Sequence, residues 1–257
     1  MPVRPPRSSS VDAPLKGRTA LVTGAAKRLG RAVALALAER GVHVVVHYGT
    51  SRAEAEAVAR RIRRSRVKAW TLAADLADPG QARGLVARAA EAAGALDFLV
   101  NNASIFTPSR LADFTLEDLS ANVQVNAVAP LLLAREFVAR GRPGSIVNFL
   151  DTRIVDYDRE HVAYHLSKRM LHALTRMMAL EFAPRVRVNA VAPGLILPPP
   201  GEGRAYLRRY RTTNPLQRIG SPAGVAEAVL FLLRSAFVTG QVIYVDGGRH
   251  LKGQMYG

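Results

Sequence analysis

A tyrosine and a lysine stand four residues apart in the segment YHLSK, from Tyr164 to Lys168. Residues four apart on a helix share one face, so this spacing brings the phenol and the ammonium group together. A nearby ammonium group favours the phenolate, and we expect Lys168 to lower the pKa of Tyr164 from its usual value of about 10. Such a tyrosine can exchange a proton with a substrate near neutral pH. Alone the pair is a weak signal, because many helices contain this spacing by chance.

A glycine turn near the N-terminus is the second candidate site. Thr23 and Gly24 follow a short apolar segment, and Gly30 begins a segment rich in alanine and leucine. Where a strand leads into a helix in this way, backbone N–H groups at the helix N-terminus can bind a pyrophosphate, and glycine permits the close approach. The same residues are compatible with an ordinary turn, but the order strand, turn, helix, strand favours dinucleotide binding.

The residues after the second apolar segment indicate which dinucleotide is bound. An NAD enzyme usually has Asp or Glu at this point to bind the ribose hydroxyls, whereas residues 47–52 read HYGTSR. Hydroxyl groups and cations suit a 2′-phosphate, so NADPH is the expected cofactor, with His47, Tyr48 and Ser51 as candidate contacts. The alternative is that His47 and Tyr48 only end the strand.

Further candidate cofactor contacts lie in the glycine turn and after the third and fourth apolar segments. Arg28 occupies a position where many such turns have a second glycine, and a cation there can neutralise phosphate or reach the substrate. Asp75 can accept a hydrogen bond from an adenine amino group, or it can cap a turn. The full set comprises Gly24, Lys27, Arg28, Leu29, Gly30, Asp75, Leu76, Asn102, Ala103 and Ser104.

These motifs are embedded in a regular alternation of apolar strands and helical patterns. Strands are predicted at 18–23, 42–47, 67–74, 96–101, 144–150, 185–191 and 241–245. Helices are predicted at 28–40, 52–65, 79–93, 115–140, 160–182 and 222–234. Near-continuous apolar strands separated by helices predict a single α/β domain, a Rossmann-type doubly wound parallel sheet of about seven strands with helices on both faces.

Outside this alternation lie two segments with different expected roles. Residues 1–16 are basic and proline-rich, and we interpret them as a flexible tail that precedes the domain at 17–257. The long irregular stretch at 193–214 is predicted to be a lid or binding loop, with the substrate loop around 194–214.

The composition excludes several classes of site. The chain has 257 residues, 49% of them apolar, and no cysteine, so disulfides and thiolate metal sites are excluded. No apolar run reaches the length of a membrane span, and the N-terminus lacks the apolar core of a signal peptide, so we expect a cytoplasmic protein. The net charge of +16 raises the possibility of a nucleic-acid partner. That function is not favoured, because the cations are scattered and the densest group, at 60–68, has no interleaved aromatic residues.

Taken together, the motifs resemble those of the short-chain dehydrogenase/reductase superfamily over about residues 17–253. Within it the chain is most similar to the pteridine reductases, including dihydromonapterin reductases, through residues 23–30, 101–106 and 237–251. The superfamily motifs are the glycine turn, Asp75-Leu76, residues 101–104, Asn126, the Tyr164/Lys168 pair, Pro193-Gly194 and residues 245–248.

Asp151, at the end of the fifth predicted strand, carries the narrower resemblance. Most superfamily members have a catalytic serine there, whereas the pteridine reductases have an aspartate. A carboxylate would repel the charge that develops on a ketone oxygen, but a carboxyl–tyrosine pair suits reduction of a C=N bond and can accept N–H groups of a pterin edge. The alternative is that Asp151 is a turn residue and that the catalytic serine lies elsewhere, with Thr152 as the nearest hydroxyl.

The resemblance implies a role for each site residue. Tyr164, aided by Asp151, would pass a proton to the substrate. Lys168 would bind the nicotinamide ribose, and Asn126 would support Lys168 through a helix kink and a water molecule. Phe106 would stack on the pterin, or it fills the core as a loop aromatic. Ser104 and Arg28 would hydrogen-bond the pterin or the cofactor phosphate, and Pro193 and Gly194 would complete the cofactor site. We interpret three histidines as packing or solvent residues, namely His161, His165 and His172. No His and carboxylate residues have the spacing of a metal site.

The resemblance also implies a homotetramer assembled through the Tyr164 helix and the long helix before it. The leading hypothesis is an NADPH-dependent reductase of a dihydropterin such as dihydrobiopterin, dihydromonapterin or dihydrofolate. One alternative is a reductase of another C=N, C=C or carbonyl substrate. The other is a protein on the same fold that binds NADPH or nucleic acid without catalysis.

Overall fold

The computed structural model describes residues 14–199 and 201–254, so most of the predicted tail at 1–16 lies outside the described residues. In the described part of the chain, seven strands form one sheet in the order β3-β2-β1-β4-β5-β6-β7, and every neighbouring pair is parallel. The strands are β1 Thr19–Val22, β2 His43–Tyr48, β3 Ala69–Ala73, β4 Phe98–Asn101, β5 Gly144–Phe149, β6 Val186–Pro193 and β7 Val242–Val245. The predicted doubly wound sheet is confirmed.

The helices connect successive strands. They are α1 Arg28–Glu39, α2 Arg52–Arg63, α3 Pro79–Ala93, α4 Leu116–Val123, α5 Ala129–Ala139, α6 Val162–Glu181, α7 Arg204–Tyr210 and α8 Pro222–Arg234. Side chains alternate between the two faces of each strand. In β1, Ala20 and Val22 pack in the core beneath α1, α2 and α8, and Leu21 packs in the core beneath α3, α5 and α6.

Two predicted elements differ from the structure. The helix predicted at 115–140 is interrupted by a π-helical turn, Gln124–Val128, in which the Ala129 N–H donates to the Gln124 carbonyl. Pro130 has no N–H and cannot donate the usual helical bond to the carbonyl of Asn126, which accounts for the interruption at this point. The stretch predicted as an irregular loop at 193–214 contains α7, whose Leu207 is buried.

The sheet topology places the expected ligand site. β1 pairs with β2 on one side and with β4 on the other, so the strand order reverses between β1 and β4. In open parallel sheets, ligands bind at the carboxyl ends of the strands beside such a switch point. The glycine turn after β1 and residues 102–104 after β4 meet at this edge.

Candidate active site

The turn between β1 and α1 is closely packed around two glycines. Gly24 has a φ of +60°, and a Cβ on Gly30 would lie 2.3 Å from the Gly24 carbonyl oxygen and 2.4 Å from Asn102 Nδ2. The Asn102 amide donates to the carbonyls of Thr23 (2.8 Å) and Gly24 (3.1 Å). Only glycine fits at position 30, and the turn is fixed to the end of β4.

Thr23 belongs to the glycine-turn motif but was not predicted as a site residue, and the structure gives its side chain a positioning role. Its Oγ1 accepts hydrogen bonds from the backbone N–H groups of Asn102 (2.9 Å) and Ala103 (3.0 Å). The hydroxyl therefore joins the carboxyl ends of β1 and β4. Its position at the end of the first strand, where ligand sites form in such sheets, could have identified it from the sequence.

We expect Gly30→Ala to disrupt dinucleotide binding. The new methyl group would overlap the Gly24 carbonyl, so the turn must shift; such overpacking typically costs about 2 kcal/mol of unfolding free energy. NADPH affinity, measured by fluorescence titration, should fall about tenfold or more, equivalent to about 1.4 kcal/mol.

Gly84→Ala is the matched control, because Gly84 lies in α3 and a Cβ added there would meet no atom within 4 Å. This variant should bind NADPH like the wild type and gain up to about 1 kcal/mol of stability. Wild-type affinity in the Gly30 variant would contradict the importance of the tight turn.

His47 lies behind the turn, which corrects its predicted contact with the cofactor. The side chain is only 2% exposed. Its Nδ1 accepts from the Gly24 N–H (3.1 Å), and its Nε2 lies 3.1 Å from the Ala74 carbonyl oxygen, to which it donates in the neutral form. Burial lowers the pKa of His47 from 6.5 to about 4, so the ring is neutral at physiological pH. His47 therefore positions the glycine turn against the end of β3.

This burial predicts a pH dependence of stability. The folded protein resists protonation of His47 down to about pH 4, whereas the unfolded chain takes up a proton near pH 6.5. The unfolded state thus binds more protons in this range, and stability must fall as the pH falls. From about pH 7.5 to about pH 5 we expect His47 to account for a loss of about 2 kcal/mol.

Urea unfolding of the wild type and His47→Gln at both pH values measures this contribution. Glutamine can make the same two hydrogen bonds but does not titrate, so the variant should lose less stability than the wild type at the lower pH. Equal losses in the two proteins would show that His47 is not the responsible group.

Two cations of the glycine turn have definite partners. Lys27 forms an ion pair with Glu54 of α2 at 2.8 Å. Arg28 has a φ of +52°, a left-handed conformation that glycine adopts more readily, which fits its position where related turns have a glycine. Its guanidinium donates to the Pro198 carbonyl at 2.7 Å and so reaches the predicted substrate loop.

The other predicted cofactor residues lie at the same edge of the sheet or close to it. Asp75 is exposed, and its carboxylate accepts from the Ala77 N–H at 2.9 Å, as in a capped turn. Gly194 follows β6, and a Cβ there would come within 2.6 Å of the Asp246 Cβ, so the structure explains this glycine by its close packing against the residue that follows β7. Leu76 and Pro193 are buried, and Leu29, Tyr48 and Ser51 are partly exposed.

The proposed catalytic pair is in contact. The Tyr164 hydroxyl donates to Asp151 Oδ2 at 3.0 Å, and Asp151 Oδ1 accepts from the Arg153 N–H at 2.8 Å. Thr152, the nearest hydroxyl in the sequence, is buried and donates to the carboxylate of Asp246. The residue that faces the tyrosine is therefore the aspartate.

The predicted lowering of the Tyr164 pKa is wrong. Burial and the neighbouring negative charge of Asp151 raise the pKa of Tyr164 well above 10. Lys168 is directed elsewhere: its ammonium group donates to the Phe149 carbonyl at 2.8 Å and lies 5.7 Å from the centre of the tyrosine ring. Burial lowers the pKa of Lys168 to about 8, which weakens its influence as a cation.

Asn126 connects the loop after β4 with helix α6. Its Oδ1 accepts from Ser104 Oγ (3.0 Å) and from the Ile105 N–H (2.9 Å), and its Nδ2 donates to Ser167 Oγ (3.0 Å). Ser167 in turn donates to the Tyr164 carbonyl at 2.7 Å. Asn126 thus lies at the predicted kink, but its side chain supports the Tyr164 segment through Ser167, a residue that the sequence analysis did not identify.

Aromatic side chains border the catalytic pair. Phe106, which is 40% exposed, stacks on His161 with 3.8 Å between ring centres and meets the Tyr164 ring edge-on at 4.7 Å. One face of Phe106 is thus covered by His161, and the predicted packing role of His161 agrees with this contact.

Asp158 connects two histidines beside this aromatic group. Its carboxylate lies 3.0 Å from His161 Nδ1 and 3.1 Å from Nε2 of His165, which is buried. Burial alone would raise the pKa of Asp158, but the hydrogen bonds from the two histidines outweigh it and hold this pKa well below its usual range. His165 is therefore structural, and His172 is partly exposed on α6.

Neither a helix that could cross a membrane nor a group of three or more potential metal ligands is found within residues 14–199 and 201–254. No helix there combines the length and the apolar character that a bilayer span requires. No group of three or more His, Asp or Glu side chains in this part of the chain could hold a metal ion.

Comparisons with known proteins point to one family. A family model described as enoyl-(acyl carrier protein) reductase matches residues 24–250. FolM alternative dihydrofolate reductase 1 from Brucella canis, solved in complex with NADP, is 34% identical with a TM-score of 0.88, and the match covers 93% of this chain and 96% of that one. The corresponding Brucella suis structure, also with NADP, is 35% identical with a TM-score of 0.87 and coverage of 91% and 96%. Versicolorin reductase 1 from Aspergillus parasiticus is 35% identical over 91% of this chain and 97% of its own length.

Proposed function

The chain belongs to the short-chain dehydrogenase/reductase superfamily of oxidoreductases, and we propose that it reduces the C=N bond of a dihydropterin with NADPH as cofactor. The observation that carries this proposal is the hydrogen bond of 3.0 Å between the Tyr164 hydroxyl and the Asp151 carboxylate. It joins a proton donor to an acceptor suited to the N–H edge of a heterocycle.

The glycine turn fits a dinucleotide phosphate. Gly24 and Gly30 leave no room for a methyl group beside the backbone of the turn, and Lys27 and Arg28 supply positive charge there. The absence of an acidic residue from 47–52 favours NADPH over NADH, and the Brucella proteins were solved with NADP. We expect Asp75, Asn102, Ala103 and Ser104 to border the same cofactor, which supplies the hydride when bound.

Tyr164 is the proton donor in this proposal. Because its pKa lies well above 10, the phenol stays protonated until the substrate nitrogen becomes basic enough to take its proton. The O–H bond then breaks as the N–H bond forms, and the Lys168 ammonium group is 5.7 Å from the centre of the phenolate ring. Phe106 offers an apolar face for a flat ring, and Ser104 and Arg28 offer hydrogen bonds.

The aspartate makes a pterin a better substrate than a ketone. A ketone becomes an alkoxide, and a carboxylate beside that oxygen would raise the energy of the transition state. The nitrogen of a C=N bond is far more basic than a ketone oxygen, so it takes its proton before or as the hydride arrives and little negative charge develops beside Asp151. Ring N–H groups can also donate to Asp151. The similarity to the Brucella alternative dihydrofolate reductases supports the same substrate class.

A reductase of another substrate is the second candidate, because versicolorin reductase 1 is about as similar in sequence. Steady-state assays of NADPH oxidation with dihydrobiopterin, dihydromonapterin, dihydrofolate and a set of aromatic ketones distinguish the two. The proposal predicts turnover of at least one dihydropterin and little or none of the ketones. Efficient ketone reduction without pterin turnover would overturn it.

We also propose that the protein assembles as a homotetramer through α6. Three large apolar side chains of this helix are exposed to solvent: Leu166 (42%), Met170 (39%) and Met177 (63%). A continuous apolar strip on a surface helix is a typical assembly surface. Light scattering of the purified protein should give four times the chain mass of 27.8 kDa; a monomer would contradict the proposal.

A further inference from the structure

The ring of His161 stacks on the ring of Phe106 beside the catalytic pair. The two ring centres are 3.8 Å apart and the ring planes differ by 15°, while the rings of Phe106 and Tyr164 are 4.7 Å apart and nearly perpendicular. Phe106 lies in the loop after β4, and His161 lies directly before α6, three residues ahead of the proposed proton donor. Two segments that are distant in sequence thus meet ring to ring at the proposed substrate site.

A carboxylate holds the His161 ring in this position. Asp158 Oδ1 accepts hydrogen bonds from His161 Nδ1 at 3.0 Å and from the Glu160 N–H at 2.9 Å. Asp158 Oδ2 lies 3.1 Å from Nε2 of His165, a buried residue of α6. Because the carboxylate contacts α6 on one side and the His161 ring on the other, rotation of that ring would break a hydrogen bond. The plane of the His161 ring is therefore set by α6, the helix that carries Tyr164.

The loop that carries Phe106 is attached to the same segment through Ser109. This serine is buried; its N–H donates to the Glu160 carbonyl at 2.6 Å, and its carbonyl accepts from the Val162 N–H at 2.8 Å. Its Oγ accepts from the Ala163 N–H at 3.1 Å. These bonds fix the two backbones relative to each other. The plane of the Phe106 ring, which is 40% exposed, depends instead on the side chains against which it packs.

Resting on the function proposed above, we propose that His161 is a positioning residue, which holds Phe106 in the orientation that receives the flat ring of the substrate. A ring that is held in place before binding loses little conformational freedom when the substrate arrives, and this strengthens binding. His161 acts only through Phe106, since the proton is transferred by Tyr164 with the aid of Asp151. Loss of the His161 ring should therefore raise KM and leave kcat nearly unchanged.

His161→Ala and His161→Phe test this role in steady-state assays with a dihydropterin that the wild type reduces. The alanine variant should raise KM about fivefold, the usual size of one stacked aromatic contact, and keep kcat within about twofold of the wild type. The phenylalanine variant keeps a ring against Phe106 without the hydrogen bond to Asp158, so its KM should return to near the wild-type value. His172→Ala is the matched control, because His172 lies partly exposed on α6, and it should leave both constants unchanged.

A double-mutant cycle shows whether His161 acts through Phe106. In a Phe106→Ala background, His161→Ala should change KM no further, because the ring that it orients is absent. Additive effects of the two substitutions on KM would overturn the inference.

The remaining outcomes separate this inference from the function on which it rests. An unchanged KM in His161→Ala would overturn the inference and leave the proposed function intact, and so would a lower KM, which would show that His161 blocks the face of Phe106 that the substrate needs. A loss of kcat and of NADPH affinity that His161→Phe does not restore would also overturn it, since a disrupted start of α6 produces that pattern. A wild type that reduces no dihydropterin would overturn the proposed function, and the inference with it.

Discussion

Tyr164→Phe is expected to lower kcat for dihydropterin reduction by about 1,000-fold, within the usual range for the loss of a general acid. Phenylalanine keeps the ring that meets Phe106 and His165, so the local packing should survive. It removes only the hydroxyl, which is the donor to Asp151 and the proton source for the substrate nitrogen. Stopped-flow absorbance of NADPH oxidation measures the loss, and fluorescence titration should show that NADPH still binds.

Tyr157→Phe is a suitable control for this experiment. Tyr157 is 71% exposed and lies outside the proposed catalytic group, so the same chemical change there should leave the rate unaltered. Turnover of the Tyr164 variant at the wild-type rate would refute the role of the phenol as proton donor. A variant that loses NADPH binding as strongly as turnover would instead indicate a structural role.

Asp151→Ser should lower kcat/KM for the dihydropterin by about 100-fold, as is typical when a group positioned for the transition state is removed. The shorter side chain cannot both reach the Tyr164 hydroxyl as the carboxylate does and accept from a ring N–H group. The fold should tolerate the change, because serine can replace aspartate as acceptor for the Arg153 N–H. The ratio of dihydropterin turnover to ketone turnover, measured by NADPH oxidation, is the informative quantity.

Asp151→Asn completes this test. Asparagine has the same shape and can still accept from Tyr164, but it lacks the negative charge. If charge at this position selects against ketones, both variants should shift the ratio toward ketone reduction. A serine variant that reduces dihydropterins like the wild type would argue against the pteridine reductase assignment.

The sequence predicted the fold well because the residues that begin and end its helices are recognisable from their immediate neighbours. Helices α3 and α8 have the predicted bounds, since Pro79 and Pro222 occupy their first turns and Asp78 and Ser221 cap them. The strands are apolar runs between such helices, and their parallel order follows from the alternation. The residue pattern predicted an unbroken helix at 115–140, and only the family resemblance implied a kink at Asn126. The π-helical turn forms there because Pro130 lacks the N–H that would donate to the Asn126 carbonyl.

The site was predicted less completely, because burial and distant contacts decide what a side chain does. His47 follows the cofactor-binding pattern in sequence, yet its ring is enclosed between Gly24 and Ala74. The raised pKa of Tyr164 depends on its burial and on Asp151, thirteen residues earlier.

The most direct test of the central claim is the stoichiometry of the reaction. Purified protein is incubated with NADPH and a 7,8-dihydropterin, and the tetrahydropterin is quantified by chromatography with electrochemical detection while NADPH is followed by absorbance. The account predicts one tetrahydropterin formed for each NADPH consumed. NADPH that binds and persists in the presence of every dihydropterin tested, with no tetrahydropterin formed, would contradict it.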